Sequence, residues 1–393
     1  MRTTTAPVSD IDLFTDDALI DPYPSYARLR DAGPVVRLTK LDVWALPRYE
    51  QVRAALCDHE TFSSASGVGF FEDMNQLMAG FGLLATDPPV HTRLRGVISR
   101  MLTARALRDL GASVVTAADD LVTRLVARRE FDAVSDLAEA FTVTVVSDLL
   151  GLPTDGRDQL LDFGAAMFDS HGPFGSRTPA AMERNLALLQ YVSTTAARER
   201  LAEGSLGARI WESVDADEID APAAIGLLTA LVAAGMDTTI LALSAAVQLF
   251  AENPEQWDAL RSEPARVPAA FLEVARYSSP ITLSTRKTTK ACELDGIDIP
   301  EGARVGVMYA CANRDERKWV DPERFDISRN PFDHLAFGAG IHGCVGQILS
   351  RLEAHAILNA LLSKVRRFET GQPQHIINNT LQGLSKLPCR VST

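Results

Sequence analysis

The run from Ala223 to Phe250 is apolar along almost its whole length, yet Asp237, Thr238 and Thr239 stand at its middle. A membrane span of that length would place a charge against lipid, which is costly. A buried central helix with a functional polar centre satisfies both features. Such a helix needs a large body around it, and 393 residues with 46% hydrophobic and 23% charged residues supply one.

The flanking pattern agrees. From about 103 to 270 apolar residues recur at helical spacing, as in Leu107 to Val126 and Leu186 to Ala202. Residues 21–32 predict a helix stopped by Gly33-Pro34 and followed by a small hairpin, Val35–Leu38 and Val43–Leu46. Between 283 and 311 the Asp295-Gly296 turn and the run Ala303–Met308 predict further hairpins. A long amphipathic stretch follows from Gln347 to Arg367, and residues 376–392 read as extended. The expected fold is mainly α with small β-sheets, near 35–48, 283–311 and 376–392. With no repeat, linker or composition break, one domain is expected across 1–393.

Net charge of −12 with no local basic run argues against a nucleic-acid partner. Five scattered cysteines without CxxC spacing fit a reducing compartment better than a disulfide framework. The first ten residues lack an apolar core, so neither leader nor membrane anchor is expected and the location is cytoplasmic.

The sharpest chemical signal is Phe337-Gly338-Ala339-Gly340-Ile341-His342-Gly343-Cys344-Val345-Gly346. A glycine-rich turn here delivers a cysteine to the start of a long helix, where free N–H groups stabilise a thiolate. The glycines allow close approach to a flat macrocycle, and a thiolate ligand donates electron density to iron. A small buried cysteine is the bland alternative for this position taken alone.

This segment resembles the haem loop of the cytochrome P450 family, Phe-x-x-Gly-x-x-x-Cys-x-Gly, matched by Phe337, Gly340, Cys344 and Gly346. Three further segments match in order. Glu273 and Arg276 correspond to the family's Glu-x-x-Arg, with Arg324 in Pro322-Glu323-Arg324-Phe325 implied as the third, buried member of a scaffold triad. Ala234-Gly235-Met236-Asp237-Thr238-Thr239 resembles the oxygen-activation segment. There the resemblance implies Thr238 on the haem face and Asp237 as proton relay, with Gly235 letting the helix open. A threonine bonded to its own helix is the alternative. His91 and Arg95 match a His-x-x-x-Arg pair suited to a haem propionate, with Arg286 and His342 as further ligands.

The family resemblance implies haem b (iron protoporphyrin IX) held by Cys344, O2 as co-substrate, and electrons from NAD(P)H. With no flavin or ferredoxin domain in the chain, those electrons come through a separate ferredoxin and reductase or a combined reductase. An acidic ferredoxin would meet the helix after Cys344, with Arg351 a candidate contact. A monomer without membrane or nucleic-acid partners is expected.

Within the family the chain is most similar to bacterial P450s that oxidise para-substituted benzoates. Shared stretches include Leu29–Val36, Phe62-Ser63-Ser64, Gly67-Val68-Gly69 and Gly383–Pro388. The implied pocket comprises Ser66, Phe168, His171, Thr229, Ala230, Ala233, Leu283 and Thr285. Where the subfamily holds a carboxylate with arginines and serines, this sequence has Ser66, Thr229, Ala230 and Ala233, none of them basic. A buried unpaired carboxylate costs several kcal/mol. A small neutral aromatic substrate is therefore expected, such as a methoxyarene or 4-alkylguaiacol undergoing O-demethylation. His171 can bond a phenol or methoxy oxygen or be a loop residue in water. Hydroxylation of a terpene, fatty acid or steroid, or oxidation of a benzoate, are the alternatives among enzymes. A haem-binding sensor without turnover is the alternative outside them.

Overall fold

The structure is a computed structural model that describes residues 5–78, 80 and 82–393. Residues 1–4 of the segment read for a leader lie outside it. At the centre are two helices laid end to end, Ala221–Gly235 and Asp237–Glu252. Asp220 caps the first, its carboxylate accepting from the Ala223 amide at 2.9 Å, and Pro222 occupies the first turn, where its missing N–H does no harm. The single long helix predicted from the sequence is thus interrupted at Met236, which follows Gly235 and has φ −107° and ψ −65°.

Around this axis Leu227, Leu228, Val232, Ile240, Leu243, Val247 and Phe250 are buried in the main core. They pack with the π-helical segment Ala133–Glu139, the helix Val267–Ser278 and the helix Gln347–Lys364. Each such side chain contributes about 1.5–3 kcal/mol by leaving water. This 32-residue apolar stretch is long enough to cross a bilayer, but it lies mostly buried inside the protein as its core.

Helix Arg108–Arg128 covers the expected Leu107–Val126 run. The run Leu186–Ala202 does not form one helix. Helix Thr178–Gln190 passes into a π turn at Tyr191–Thr195, and the chain is extended at Ala197 before a short 3-10 turn at Arg198–Arg200. The long C-terminal helix ends at Lys364, because Arg367–Thr370 is drawn into a sheet against Pro388–Ser392, which also pairs with Glu130–Asp132.

The larger sheet has six strands in the order Val8–Ser9, Val36–Leu38, Val43–Leu46, Arg304–Val307, Ser284–Thr288 and Phe62–Ser63. The predicted hairpin sets Val36 opposite Ala45, and the next strand runs parallel with Trp44 opposite Val305. The Asp295-Gly296 turn closes Cys292–Leu294 onto Ile297–Ile299, with φ of 53° and 78° at the two turn residues, as a tight hairpin requires. Residues 309–312 are a short helical turn rather than strand. The sheet joins the Phe62–Gly69 loop to the Ser284–Thr288 strand, the Thr285 amide donating to the Val68 carbonyl at 2.7 Å.

Candidate active site

Cys344 lies three residues before the start of helix Gln347–Lys364, on a loop that the Cys344 amide ties back to the Phe337 carbonyl at 2.7 Å. Gly338 and Gly340 adopt φ of 67° and 66°. A Cβ at Gly340 would come within 2.1 Å of the Leu56 carbonyl oxygen, so only glycine lets the loop lie against that helix end. Burial pushes the Cys344 thiol up. The Gly346 and Gln347 amides, which bond the sulfur, and the charges of Arg95 and Arg351 pull it down. The arrangement is a buried sulfur whose anionic form is supported by a helix N-terminus and two guanidinium groups.

His91, buried on helix Val90–Met101, faces His342 with ring centroids 4.4 Å apart. The Nε2 atom of each is buried and has no hydrogen-bond partner. Both rings are held neutral: burial and the nearby Arg95 charge lower His91, and burial followed by Arg286 brings His342 down to about 3. Arg286 donates to the Ser284 hydroxyl and the Thr285 carbonyl. Among the described residues neither Arg95 nor Arg286 makes a salt bridge. Two guanidinium groups without carboxylate partners beside two orphaned imidazoles form a cluster suited to an acidic ligand.

On the central axis, the Thr238 hydroxyl donates to the Ala234 carbonyl at 3.3 Å, the helix back-bond, and keeps its acceptor capacity. Asp237 Oδ2 is buried without a partner. Burial, then the like charges of Glu139 and Asp162, push the Asp237 carboxyl up to about 8. Thr239 bonds Ser350 at 3.2 Å and so links this axis to the helix that follows Cys344.

The scaffold pair is fully buried: Arg276 Nε and Nη2 donate to Glu273 Oε2 and Oε1 at 2.7 and 2.8 Å. Arg276 also donates to the Asn313 and Pro322 carbonyls. The second arginine on Glu273, and third member of the triad, is Arg329, at 3.2 Å, and not Arg324. Arg324 has an exposed side chain and offers only its carbonyl, because Phe325 turns into the core beside it and directs the preceding side chain outward. The turn Asp326–Arg329 then brings Arg329 back to the pair.

Comparison with known proteins agrees with this constellation. The family profile for cytochrome P450 matches residues 212–391. Cytochrome p450 CYP199A2 of Rhodopseudomonas palustris is 40% identical over 386 residues, covering 97% of this chain and 94% of that protein. The chain belongs to the cytochrome P450 family. Cytochrome P450 107B1 of Saccharopolyspora erythraea is 34% identical, covering 98% of this chain and 99% of that one. The Mycobacterium marinum P450 CYP268A2 in complex with pseudoionone superposes with a TM-score of 0.87 at 27% identity, covering 98% and 100% of the two chains. Membership brings haem as cofactor, O2 as oxidant and electrons from redox partners.

In this P450 the expected pocket residues divide. Phe168 forms a separate apolar cluster with Leu241 and Leu381, joined by Met167, Ile281 and Ile376. Sequence reasoning missed those five, which come from four separate segments. His171 stands edge-on to Phe168 at 6.3 Å, with burial lowering it to about 4, so its imidazole is neutral. Ala230, Ala234 and Thr238 recur at helical spacing on one face, and Ala234, also missed, is the exposed one. Ala233 is wholly buried in the main core, its carbonyl against Gly164, and does not share that face. Thr229 is buried with an unpartnered hydroxyl.

The Thr285 hydroxyl donates to the Gly69 carbonyl at 2.7 Å and ties the loop to the strand. Leu283, just before the strand, belongs to a buried cluster with Leu13, Tyr26, Leu29 and Met308. Ser66 is half-buried, its carbonyl accepting from Arg304, a cation the sequence did not point to. Arg304 is neutralised by Glu72 at 2.6 Å and also donates to the Gly67 carbonyl. Arg351 is half-buried, its guanidinium 5.4 Å from the centroid of the Phe337 ring and its Nε buried without a partner.

Proposed function

We propose that the chain is a one-domain, cytoplasmic, monomeric P450 whose Cys344 thiolate holds the haem iron and whose pocket takes a small neutral methoxyarene, exemplified by a 4-alkylguaiacol, for O-demethylation. The observation that carries the substrate reading is that the cations near the expected pocket are already paired: among the described residues around Phe168, His171, Thr229 and Ser66, Arg304 is held by Glu72 and backbone carbonyls, and Arg177 by Asp16, Asp169 and Asn379. The unpartnered Thr229 and Ser64 hydroxyls and the neutral His171 suit phenol and ether oxygens.

His91, Arg95, Arg286 and His342 would hold the two haem propionates, and their orphaned nitrogens and unpaired charges fit that role. The bound haem supplies O2 activation and transfer of one oxygen atom to the substrate. The chain's own part is to exclude water around Phe168 and to move protons. Asp237 holds a proton near neutral pH, and Thr238 keeps its hydroxyl at the exposed helix face. The net reaction converts the methoxyarene, O2, NAD(P)H and a proton into the phenol, formaldehyde, NAD(P)+ and water. Electrons arrive through a separate ferredoxin and reductase or a combined reductase.

Titrating ferric enzyme with 4-propylguaiacol and 4-methoxybenzoate, followed by the Soret shift, tests the reading. Losing a partner for a buried carboxylate costs about 3–5 kcal/mol, and a propyl tail contributes roughly 2 kcal/mol. The guaiacol is expected to bind more than tenfold tighter and to yield formaldehyde on turnover. Equal or tighter benzoate binding overturns the substrate class, and a hydroxylated product without formaldehyde overturns O-demethylation.

A further inference from the structure

The helix break at Met236 turns Asp237 away from the face that carries Ala234 and Thr238 and against helix Leu160–Asp169. The approach is close. A Cβ added to Gly164 would fall 2.0 Å from Asp237 Oδ2 and 2.9 Å from the Ala233 carbonyl oxygen. Only a residue without a side chain lets that carboxyl lie on the helix backbone. Asp237 Oδ2 is buried and bonds to nothing.

The groups facing Asp237 are unusual in sign. Glu139, half-buried, comes from the end of the π-helical segment Ala133–Glu139, which packs along Asp237–Glu252. Asp162, exposed, comes from the same helix as Gly164. Among the described residues no cation acts on Asp237, and the neighbour packed at Gly235 is the apolar Val146. A salt-bridged acid is held as an anion, whereas an acid among acids keeps its proton and can pass it on. Asp237 Oδ2 is buried, whereas Glu139 is half-buried and Asp162 exposed.

Resting on the monooxygenase reading and not on the substrate, we propose that Glu139 supplies Asp237 with protons from solvent, and that Gly164 is the positioning residue that seats the Asp237 carboxyl on this route. In each transfer one proton passes from the Glu139 carboxyl, across intervening water, to the Asp237 carboxylate. Solvent then returns a proton to Glu139. No electron moves in this step. The π-helical turn matters because its wider backbone places Glu139 where the following helix begins, a local irregularity of a kind frequent at functional sites.

Infrared difference spectra across a pH series read the Asp237 carboxyl directly, without substrate, as a protonated C=O band absent from Asp237→Asn. In Glu139→Gln the midpoint of that band is expected to fall, since a like charge is gone. Turnover is measured in parallel with 4-propylguaiacol and 4-methoxybenzoate, so that inactivity with one bears on the substrate alone. Glu139→Gln is expected to slow turnover roughly tenfold, raise the solvent isotope effect and leave the Soret dissociation constant unchanged, with Glu139→Asp recovering most of the rate. Gly164→Ala is expected to slow turnover similarly; if it does not fold, the Glu139 variants carry the test. An unmoved Asp237 midpoint in Glu139→Gln, or wild-type turnover and isotope effect in that variant, overturns the proposal.

Discussion

Thr238 shows how little separates a structural from a reactive role for one side chain. Its hydroxyl donates to Ala234, which satisfies the proton but leaves both lone pairs. Replacing it with alanine removes no buried partner, so Thr238→Ala is expected to bind substrate as the parent does while diverting electrons to hydrogen peroxide. Product formed per NADH consumed is expected to fall severalfold, and unchanged coupling excludes the hydroxyl from proton delivery. Cys344 admits no such compromise. Cys344→Ala is expected to lose the absorption band at about 450 nm of the reduced carbonyl complex, which a thiolate on the haem iron would give. A variant that kept the band would move the ligand elsewhere.

At the level of elements, what was legible followed from whether the determining residues are close in sequence. The turn Phe337–Gly346 carries its glycines and cysteine within ten residues, and the hairpin Cys292–Ile299 carries its own Asp-Gly turn, so both could be read directly. Helical spacing gave the central axis but not its interruption at Met236, and Ala233, which the resemblance placed in the pocket, is buried in the main core while its neighbour Ala234 is exposed. The Phe168 cluster draws Leu241, Ile281 and Leu381 from distant segments, and only the folded chain joins them. Arg329 is the clearest case, since the turn Asp326–Arg329 decides which arginine reaches Glu273. Arg329→Ala leaves a buried carboxylate with one cation fewer and is expected to cost about 1.5–3 kcal/mol. Arg324→Ala, at an exposed side chain, is expected to stay within about 0.5 kcal/mol. Urea midpoints of the two variants compare them, and equal losses reverse the assignment.

The molecule as a whole keeps several titratable groups in a charge state that water would not choose, and its stability must therefore depend on pH in opposing ways. His334 is buried, with Nδ1 accepting from the Ala336 amide, and burial followed by Arg351 lowers it to about 3 from 6.5. Within that window the unfolded chain takes up a proton that the fold refuses, so stability falls as pH falls from 6.5 towards 3. Glu353 works in the other direction. It lies fully buried on the helix after Cys344, neither of its oxygens has a partner, and burial raises its carboxyl well above 4.5. Above that value the unfolded chain releases a proton that the fold retains, so the native state binds more protons and stability declines as pH rises. The decline from one such group is at most about 1.4 kcal/mol per pH unit. Glutamine matches the protonated side chain in shape and cannot ionise. Glu353→Gln is therefore expected to equal the parent near pH 4 and to become progressively more stable relative to it towards pH 7, with a shallower stability profile. Urea midpoints of the haem-loaded proteins across that range measure the divergence, and parallel profiles would show that Glu353 is ionised in the fold.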